Sequence, residues 1–174
     1  MKLHFDSKQE FQTEAVKAIT DIFEGQPLSI GDFEFSLHQP GALLTENGFG
    51  NNQTLTEEQI FQNVKVIQKR NEIKSPSAEL QGMNFSVEME TGTGKTYVYL
   101  RTIYELNKLY GFKKFVIVVP SVAIREGVMK NLQITEEHFQ NLYDKVPVTS
   151  NVYDSKKVSN LRGFASANSN YLPM

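Results

Sequence analysis

The sequence predicts an α/β fold in which a parallel β-sheet is flanked by helices. Apolar segments alternate as strand, helix and strand between residues 85 and 119, and a turn rich in glycine and threonine joins the first strand to the helix. The second strand, Phe115-Val116-Ile117-Val118-Val119, is a continuous apolar run, as expected of an inner parallel strand covered on both faces. A chain of 174 residues has the size of one domain.

Composition excludes several classes of protein. The 18 Lys and Arg residues against 20 Asp and Glu residues give a formal charge of −2, which excludes binding of nucleic acid by bulk charge alone. The chain has no cysteine, and His4, His38 and His138 are too far apart to form a local metal motif. Because the sequence shows neither a membrane span nor a signal peptide, we expect an intracellular, cytoplasmic protein without membrane contact.

The first 80 residues predict two helices separated by an excursion. Ser7 and Glu10 form a capping-box pattern ahead of an apolar stripe that ends before Gly25. Thr56 and Gln59 form a second capping box, and apolar residues then recur at helical spacing. Residues 33–37 alternate like a strand or hairpin arm within this excursion. The stripe of the first helix comprises Phe11, Ala15, Ala18, Ile19, Ile22 and Phe23, and that of the second comprises Ile60, Val64 and Ile67.

The rest of the chain predicts a βαβ unit followed by shorter elements. A helix ends at Gly111, the strand 115–119 follows, and Ser121 begins another helix. Further predictions are a helix over 135–142, a strand over 148–153 and a helix over 155–165. We therefore divide the chain into a helix segment (1–24), an insertion (25–80), a βαβ core (81–165) and an irregular tail (166–174).

The most informative segment is the turn at residues 90–96. Its glycines can direct backbone N–H groups at phosphate oxygens, its lysine can reach β- and γ-phosphates, and its last threonine can ligate Mg²⁺. The strict phosphate-binding pattern has glycine at position 89, where this chain has Met89. The alternative is a tight turn that merely connects a strand to a helix. The candidate nucleotide-binding residues are Thr91, Gly92, Thr93, Gly94, Lys95 and Thr96.

Met89-Glu90-Thr91-Gly92-Thr93-Gly94-Lys95-Thr96 resembles motif I of superfamily-two helicases and translocases, in the variant found in Res subunits of type III restriction–modification enzymes. Four other segments agree. The segment 11–16 resembles the glutamine motif, and 119–127 resembles motif Ia with its surroundings. Residues 152–157 and 161–165 are also similar to Res subunits.

This resemblance implies an incomplete RecA-like P-loop domain with an insertion before the P-loop. It implies ATP and Mg²⁺ as cofactors, Gln12 as the adenine reader, Thr96 as the Mg²⁺ ligand, and Ser121 and Arg125 near the nucleic-acid backbone. Gln12 could instead be a solvated surface residue, and Ser121 could be only a helix N-cap. Because Lys95 lies 83 positions after Gln12, the insertion must loop out if both are to meet one nucleotide.

The family activity implied is ATP hydrolysis coupled to movement on DNA and followed by cleavage, with a modification methyltransferase subunit as partner. Such an ATPase needs an acidic motif II after a later strand, a second RecA-like domain and a nuclease, and none of these is visible in the sequence. We therefore assign no catalytic residue and expect an ATP-binding fragment with little activity of its own and an exposed apolar sheet edge. The alternatives are a non-catalytic nucleotide- or protein-binding fragment and a small P-loop kinase.

Overall fold

The computed structural model describes residues 5–29, 33–37, 46–154, 156, 163–165 and 170–173. The helices are α1 (Glu10–Thr20), extended by a 3-10 turn (Asp21–Phe23), α2 (Glu57–Arg70), α3 (Lys95–Tyr110) and α4 (Val122–Leu142). The strands are β1 (Phe33–Leu37), β2 (Glu46–Gly50), β3 (Val148–Asn151) and β4 (Asn170–Pro173).

The strands form two small sheets rather than the single parallel sheet predicted. β1 and β2 pair antiparallel, with Phe33 opposite Gly50, whereas β3 and β4 pair parallel, with Val148 opposite Asn170. Residues 85–87 and 115–119 have no assigned secondary structure and belong to no sheet of the described chain. The expectation that 115–119 is buried on both faces is wrong, since Val118 is 88% exposed. A strand is held by hydrogen bonds to a neighbour, and an apolar run cannot supply that neighbour by itself.

The chain divides into two compact units, and the division falls within α3. The first unit comprises Met1–Pro27 and Gln53–Leu106, and the second comprises Leu28–Asn52 and Asn107–Met174. The predicted insertion 25–80 is thus divided, because its hairpin belongs to the second unit and α2 belongs to the first.

The core of the first unit lies between α2 and the 3-10 turn. The predicted capping box is confirmed, since the Thr56 hydroxyl accepts from the Gln59 backbone N–H and the Gln59 side chain accepts from the Thr56 backbone N–H. The Asn63 carboxamide donates to the carbonyls of Ile22 and Glu24 at 3.0 and 2.9 Å, which satisfies acceptors where the 3-10 turn ends. The core comprises Ile22, Leu55, Ile60 and Val64, with Phe23, Ile67 and Leu80 packed against it.

The buried face of α1 differs from the predicted apolar stripe. Gln12, Val16 and Thr20 are buried at spacings of four, whereas Phe11 is 47% exposed. The capping box predicted for Ser7 and Glu10 is also wrong, because α1 follows Gln9 with no side-chain cap. The pattern failed because the buried face of α1 includes a polar side chain that has a partner distant in sequence, as described below.

The two ends of the hairpin excursion are joined at the first unit. The Gln26 side-chain oxygen accepts from the Thr54 backbone N–H at 2.8 Å and from the Thr54 hydroxyl at 3.3 Å. Gln26 itself is only 6% exposed. The chain therefore leaves the first unit after Pro27 and returns to it at Gln53 through adjacent points.

In the second unit, the ends of the same excursion bind the last residue of α3 and the segment that follows it. Ser29 donates its backbone N–H to the Tyr110 carbonyl at 3.1 Å. The Asn51 carboxamide accepts from the backbone N–H groups of Lys113 and Lys114 at 2.8 and 2.9 Å, and it donates to the Lys114 carbonyl at 2.8 Å. One side chain thus satisfies three backbone groups immediately before residues 115–119.

Replacing Asn51 with alanine is expected to cost about 1–2 kcal/mol of unfolding free energy, because three exposed backbone groups lose a shared partner that water replaces only in part. Urea unfolding would measure the loss, and amide exchange at Lys113 and Lys114 should become faster. The control is Asn84→Ala at another exposed asparagine, for which we expect a change within about 0.5 kcal/mol. Equal stabilities of the two variants would contradict the role of Asn51.

Lys114 has partners within the second unit and is not simply a solvated surface charge. Its ammonium donates to the Phe164 carbonyl at 2.6 Å and lies 5.3 Å from the centre of the Phe164 ring. Burial lowers the pKa of Lys114, and the charge of neighbouring Lys113 lowers it further. Lys114 therefore contributes to packing within the second unit.

The C-terminal part of the second unit contains one long helix where the sequence predicts two. α4 is continuous from Val122 to Leu142, and the buried Thr135 satisfies its hydroxyl within the helix by donating to the Asn131 carbonyl at 2.7 Å. Of the helix predicted over 155–165, residues 163–165 are helical and most of the rest lies outside the described residues. The tail predicted as irregular contains β4, whose partner β3 is distant in sequence. No helix in the described part of the chain is both long and apolar enough to span a membrane.

Candidate phosphate-binding turn

The turn at residues 90–94 leads directly into α3. Gly92 and Gly94 both have φ of +84°, a conformation that residues with a Cβ rarely adopt. A Cβ at Gly92 would have nothing within 4 Å, so this part of the turn faces open space. The Val98 backbone N–H bonds to the Gly94 carbonyl at 3.0 Å and closes the first helical turn. The backbone N–H groups before Val98 have no acceptor within the helix, because every α-helix begins in this way.

Two side chains of the turn meet at one backbone carbonyl. The Lys95 ammonium donates to the Glu90 carbonyl at 2.6 Å, and the Thr93 hydroxyl donates to the same oxygen at 2.7 Å. Lys95, Thr91 and Gly92 are all exposed. The lysine is therefore folded back over its own turn, at the surface and beside the N-terminus of a helix of 16 residues.

Gln12, a predicted site residue that is distant in sequence, contacts this turn. Its side-chain Nε2 donates to the Thr93 carbonyl at 2.9 Å across 81 positions. A Cβ at Gly94 would lie 2.7 Å from the same Nε2, so glycine provides the space that the carboxamide occupies. Gln12 is 8% exposed, and the interpretation of Gln12 as a solvated surface residue is therefore wrong.

Thr96 interacts with a tyrosine that the sequence analysis did not select. Burial raises the pKa of the Tyr99 phenol, and a side-chain hydrogen bond with Thr96 partly offsets this effect. Thr96 and Tyr99 are three positions apart in α3, a spacing that places them on neighbouring turns of one face. This helical spacing was the signal in the sequence that could have identified the pair.

The N-terminal segment packs on α3 beside the turn. The Phe5 and Tyr97 rings are nearly parallel, with an interplanar angle of 9° and centroids 6.1 Å apart. The Arg101 guanidinium donates to the Ser7 carbonyl at 2.7 Å. Burial raises the pKa of Tyr97, and the neighbouring Arg101 charge partly offsets this effect. These contacts hold the residues before α1 against the first two turns of α3.

Ser121 and Arg125 lie in the second unit, at the beginning of α4. Ser121 is the N-cap, and its hydroxyl accepts from the Ile124 backbone N–H at 3.3 Å. Arg125 forms an ion pair with Glu126 at 2.9 Å, and both side chains are partly or largely exposed. The capping role of Ser121 is confirmed, and exposed pairs such as Arg125 with Glu126 contribute little to stability.

Mg²⁺ prefers oxygen ligands, and it commonly binds through one or two protein groups together with phosphate oxygens. Within the described residues there is no cluster of three or more His, Asp or Glu side chains that could hold a metal alone. Asp154, the acidic residue after the apolar pair at 152–153, accepts from the Lys156 backbone N–H at 2.9 Å. The Thr96 hydroxyl beside the turn is therefore the candidate ligand.

Comparisons with known proteins agree with the motifs at this turn. The family model described as "Type III restriction enzyme, res subunit" matches residues 9–170. The EcoPI Res subunit of Escherichia phage P1 and the EcoP15I Res subunit of Escherichia coli are each 38% identical over 107 residues, which are 59% of this chain and 11% of each relative. The StyLTI Res subunit of Salmonella typhimurium is 44% identical over 86 residues, which are 47% of this chain and 9% of that protein.

The aligned residues thus make up about a tenth of the length of these relatives. The family model, in contrast, matches nearly all of this chain, from the residue before α1 to the start of β4. The match includes the whole turn at 90–96 and also Gln12, Ser121 and Arg125. The chain belongs to the family of type III restriction enzyme Res subunits.

Proposed function

We propose that this chain is the ATP-binding part of an ATP-dependent type III restriction subunit, and that residues 90–96 bind the phosphates of MgATP. The observation that carries the proposal is the exposed turn at the N-terminus of α3, with Lys95 at its surface and Gln12 against its backbone. Family membership favours this function over the alternative of a small P-loop kinase.

The residues of the turn fit a phosphate chain. The Lys95 ammonium can exchange the Glu90 carbonyl for a phosphate oxygen with a short movement of its side chain, since it is exposed. The open side of Gly92 leaves room for phosphate close to the backbone, and the helix N-terminus favours negative charge. Thr96 would turn its hydroxyl from Tyr99 toward Mg²⁺. When bound, MgATP would supply the phosphoanhydride bond whose hydrolysis drives the family activity.

The fold that we propose is the RecA-like fold implied by family membership. In it, residues 85–87 form the strand before α3 and residues 115–119 form the strand after α3. Their exposed apolar side chains support this proposal, because alternate valines at 116 and 118 are 62% and 88% exposed and would be buried by helices or strands. The division into a glutamine-motif helix, an insertion and a P-loop core belongs to the same proposal.

DNA is the proposed macromolecular substrate of the whole family member, and a modification methyltransferase subunit is its proposed partner. The relatives are Res subunits of restriction–modification enzymes, which supports this proposal. In this chain, the exposed Ser121 and the partly exposed Arg125 at the start of α4 are the residues proposed to approach the DNA backbone, since a hydroxyl, a guanidinium and a helix N-terminus all suit phosphate. We place this activity in the cytoplasm.

We further propose that the chain alone binds MgATP and has little or no steady-state turnover. Hydrolysis by this kind of site needs a carboxylate on Mg²⁺ and a second one that orients water. No acidic pair follows an apolar strand in the sequence. Steady-state ATP turnover by the purified chain that disappears in Lys95→Ala would refute this part of the proposal. If the chain binds MgATP and does not hydrolyse it, the chain by itself behaves as the non-catalytic nucleotide-binding fragment that was the alternative.

MgATP is expected to raise the melting temperature of the chain, and Lys95→Ala should remove most of this rise. A ligand at about 100 times its Kd stabilises the folded state by about 2.7 kcal/mol, or about 5–10 °C for a chain of this size. Thermal unfolding with and without MgATP measures the effect. The variant removes the ammonium that would neutralise β- and γ-phosphates.

The matched control is Lys74→Ala, which removes another exposed lysine of the first unit. This variant should respond to MgATP as the wild type does. A wild-type chain that unfolds cooperatively at the same temperature with and without MgATP would overturn the proposed nucleotide site. An equal response in Lys95→Ala would show that MgATP binds elsewhere.

A further inference from the structure

We propose that Gln12 is a positioning residue of the phosphate-binding turn, in addition to any contact with a base. This inference rests on the proposed function, because it concerns how the same site is held. In the structure, the Gln12 carboxamide donates to the Thr93 carbonyl at 2.9 Å and so bonds to the backbone of the turn itself. A residue that reads only adenine would need no such bond.

The position of Gln12 is fixed from several directions. It is 8% exposed and shares the buried face of α1 with Val16 and Thr20, which are 3% and 2% exposed. The residues before α1 are held on α3 by the bond from Arg101 to the Ser7 carbonyl and by the packing of Phe5 on Tyr97. The carboxamide therefore meets the turn as part of a packed helix.

Gly94 makes this approach possible. Its φ of +84° directs the chain around the carboxamide, and a Cβ there would lie 2.7 Å from Gln12 Nε2. The Thr93 carbonyl accepts the bond from Gln12, while the Thr93 hydroxyl donates to the Glu90 carbonyl. The same carbonyl belongs to the peptide group that joins Thr93 to Gly94, directly before α3. Fixing this carbonyl fixes the peptide plane of Thr93 and Gly94, and hence the direction of the Gly94 N–H.

The carboxamide can hold the turn and contact a purine simultaneously. A glutamine side chain has two N–H donors and one oxygen acceptor, and the bond to Thr93 uses one donor. The remaining donor and acceptor match the N7 acceptor and N6 donor of adenine. Binding of the base and the geometry of the phosphate turn are therefore coupled through one side chain, and each should strengthen the other.

Inorganic tripolyphosphate separates positioning of the turn from reading of the base, because it has the phosphate chain and no base. We would measure the Kd of magnesium tripolyphosphate, MgATP and MgGTP by calorimetry for the wild type and Gln12→Met. Methionine has nearly the same length and volume and cannot donate to Thr93. We expect Gln12→Met to weaken tripolyphosphate binding on the order of three- to tenfold, and MgATP binding by a larger factor than MgGTP binding.

Unchanged tripolyphosphate affinity in Gln12→Met would overturn the inference, whether or not discrimination between ATP and GTP is lost. The melting temperature without ligand checks that the variant is folded. Should Gln12→Met not fold, Gln12→Leu takes its place, since leucine is also uncharged and cannot donate to Thr93.

Failure of the proposed function would give a different result. A wild-type chain that binds neither MgATP nor tripolyphosphate would remove the phosphate site, and the inference with it. A wild type that binds both, together with a Gln12→Met variant that binds tripolyphosphate equally well, would leave the phosphate site in place and remove the positioning role alone.

Discussion

Replacing Gly111 with alanine is expected to reduce the unfolding free energy by about 3–5 kcal/mol, a large part of the stability of an ordinary domain. Gly111 ends α3 with φ of +74°, which an alanine adopts at a cost of about 1–2 kcal/mol. Its Cβ would also overlap with the carbonyl oxygen of Ser29 and lie 3.1 Å from the carbonyl carbon. The clash is with backbone, so relief requires Ser29 to move and weakens its bond to the Tyr110 carbonyl.

Urea unfolding of Gly111→Ala would measure this loss, and Gly127→Ala is the matched control. Gly127 lies within α4 at an exposed position, where a Cβ would have nothing within 4 Å. There, alanine should raise stability by about 0.5–1 kcal/mol, because it has the better helix propensity. A Gly111→Ala chain within about 1 kcal/mol of the wild type would contradict the packing described for Ser29.

Replacing Gly94 with alanine is expected to cost about 2–3 kcal/mol, more than the same change at Gly92. Both glycines have φ of +84°, so both variants carry a backbone strain of about 1–2 kcal/mol. At Gly94 the new Cβ would lie 2.7 Å from Gln12 Nε2, whereas at Gly92 it would meet nothing within 4 Å. Gln12 can move away, but its bond to Thr93 is then lost at a further cost of about 1 kcal/mol.

A double-mutant cycle tests this explanation. In a Gln12→Ala background, Gly94→Ala and Gly92→Ala should destabilise the chain equally, because the group that distinguishes them has been removed. Urea unfolding of the six chains gives the required free energies. If Gly94→Ala costs no more than Gly92→Ala in the wild-type background, Gln12 does not occupy the space beside Gly94 in solution.

The elements that the sequence predicted well are those specified by neighbouring residues. The Thr56 and Gln59 capping box, the bond from the Gly111 N–H to the Asn107 carbonyl at the end of α3, and the N-cap at Ser121 each span four positions or fewer. The turn at 90–94 was predicted for the same reason, since its glycines are required by local backbone angles. Such features follow from short-range sterics and hydrogen bonds.

The features that the sequence did not predict depend on partners distant along the chain. Burial of Gln12 requires Thr93, and the three bonds of Asn51 require a segment 62 or 63 positions away. Residues 115–119 have the composition of a strand, yet a strand also needs a hydrogen-bonded neighbour, which composition does not specify. Binding of a nucleotide at the turn, and the roles of Ser121 and Arg125, stay predictions.

Because the Gln26 side chain bonds to Thr54, the length of the hairpin between them does not affect the geometry of the turn at 90–94. Because the chain leaves and re-enters the first unit at adjacent residues, a longer or shorter hairpin would change the loop and leave α1 in place beside the turn at 90–94. The entropic penalty of lengthening such a loop grows slowly, by about 0.6 kcal/mol for each doubling. An insertion or deletion in the hairpin would therefore leave the distance between Gln12 and Lys95 unchanged.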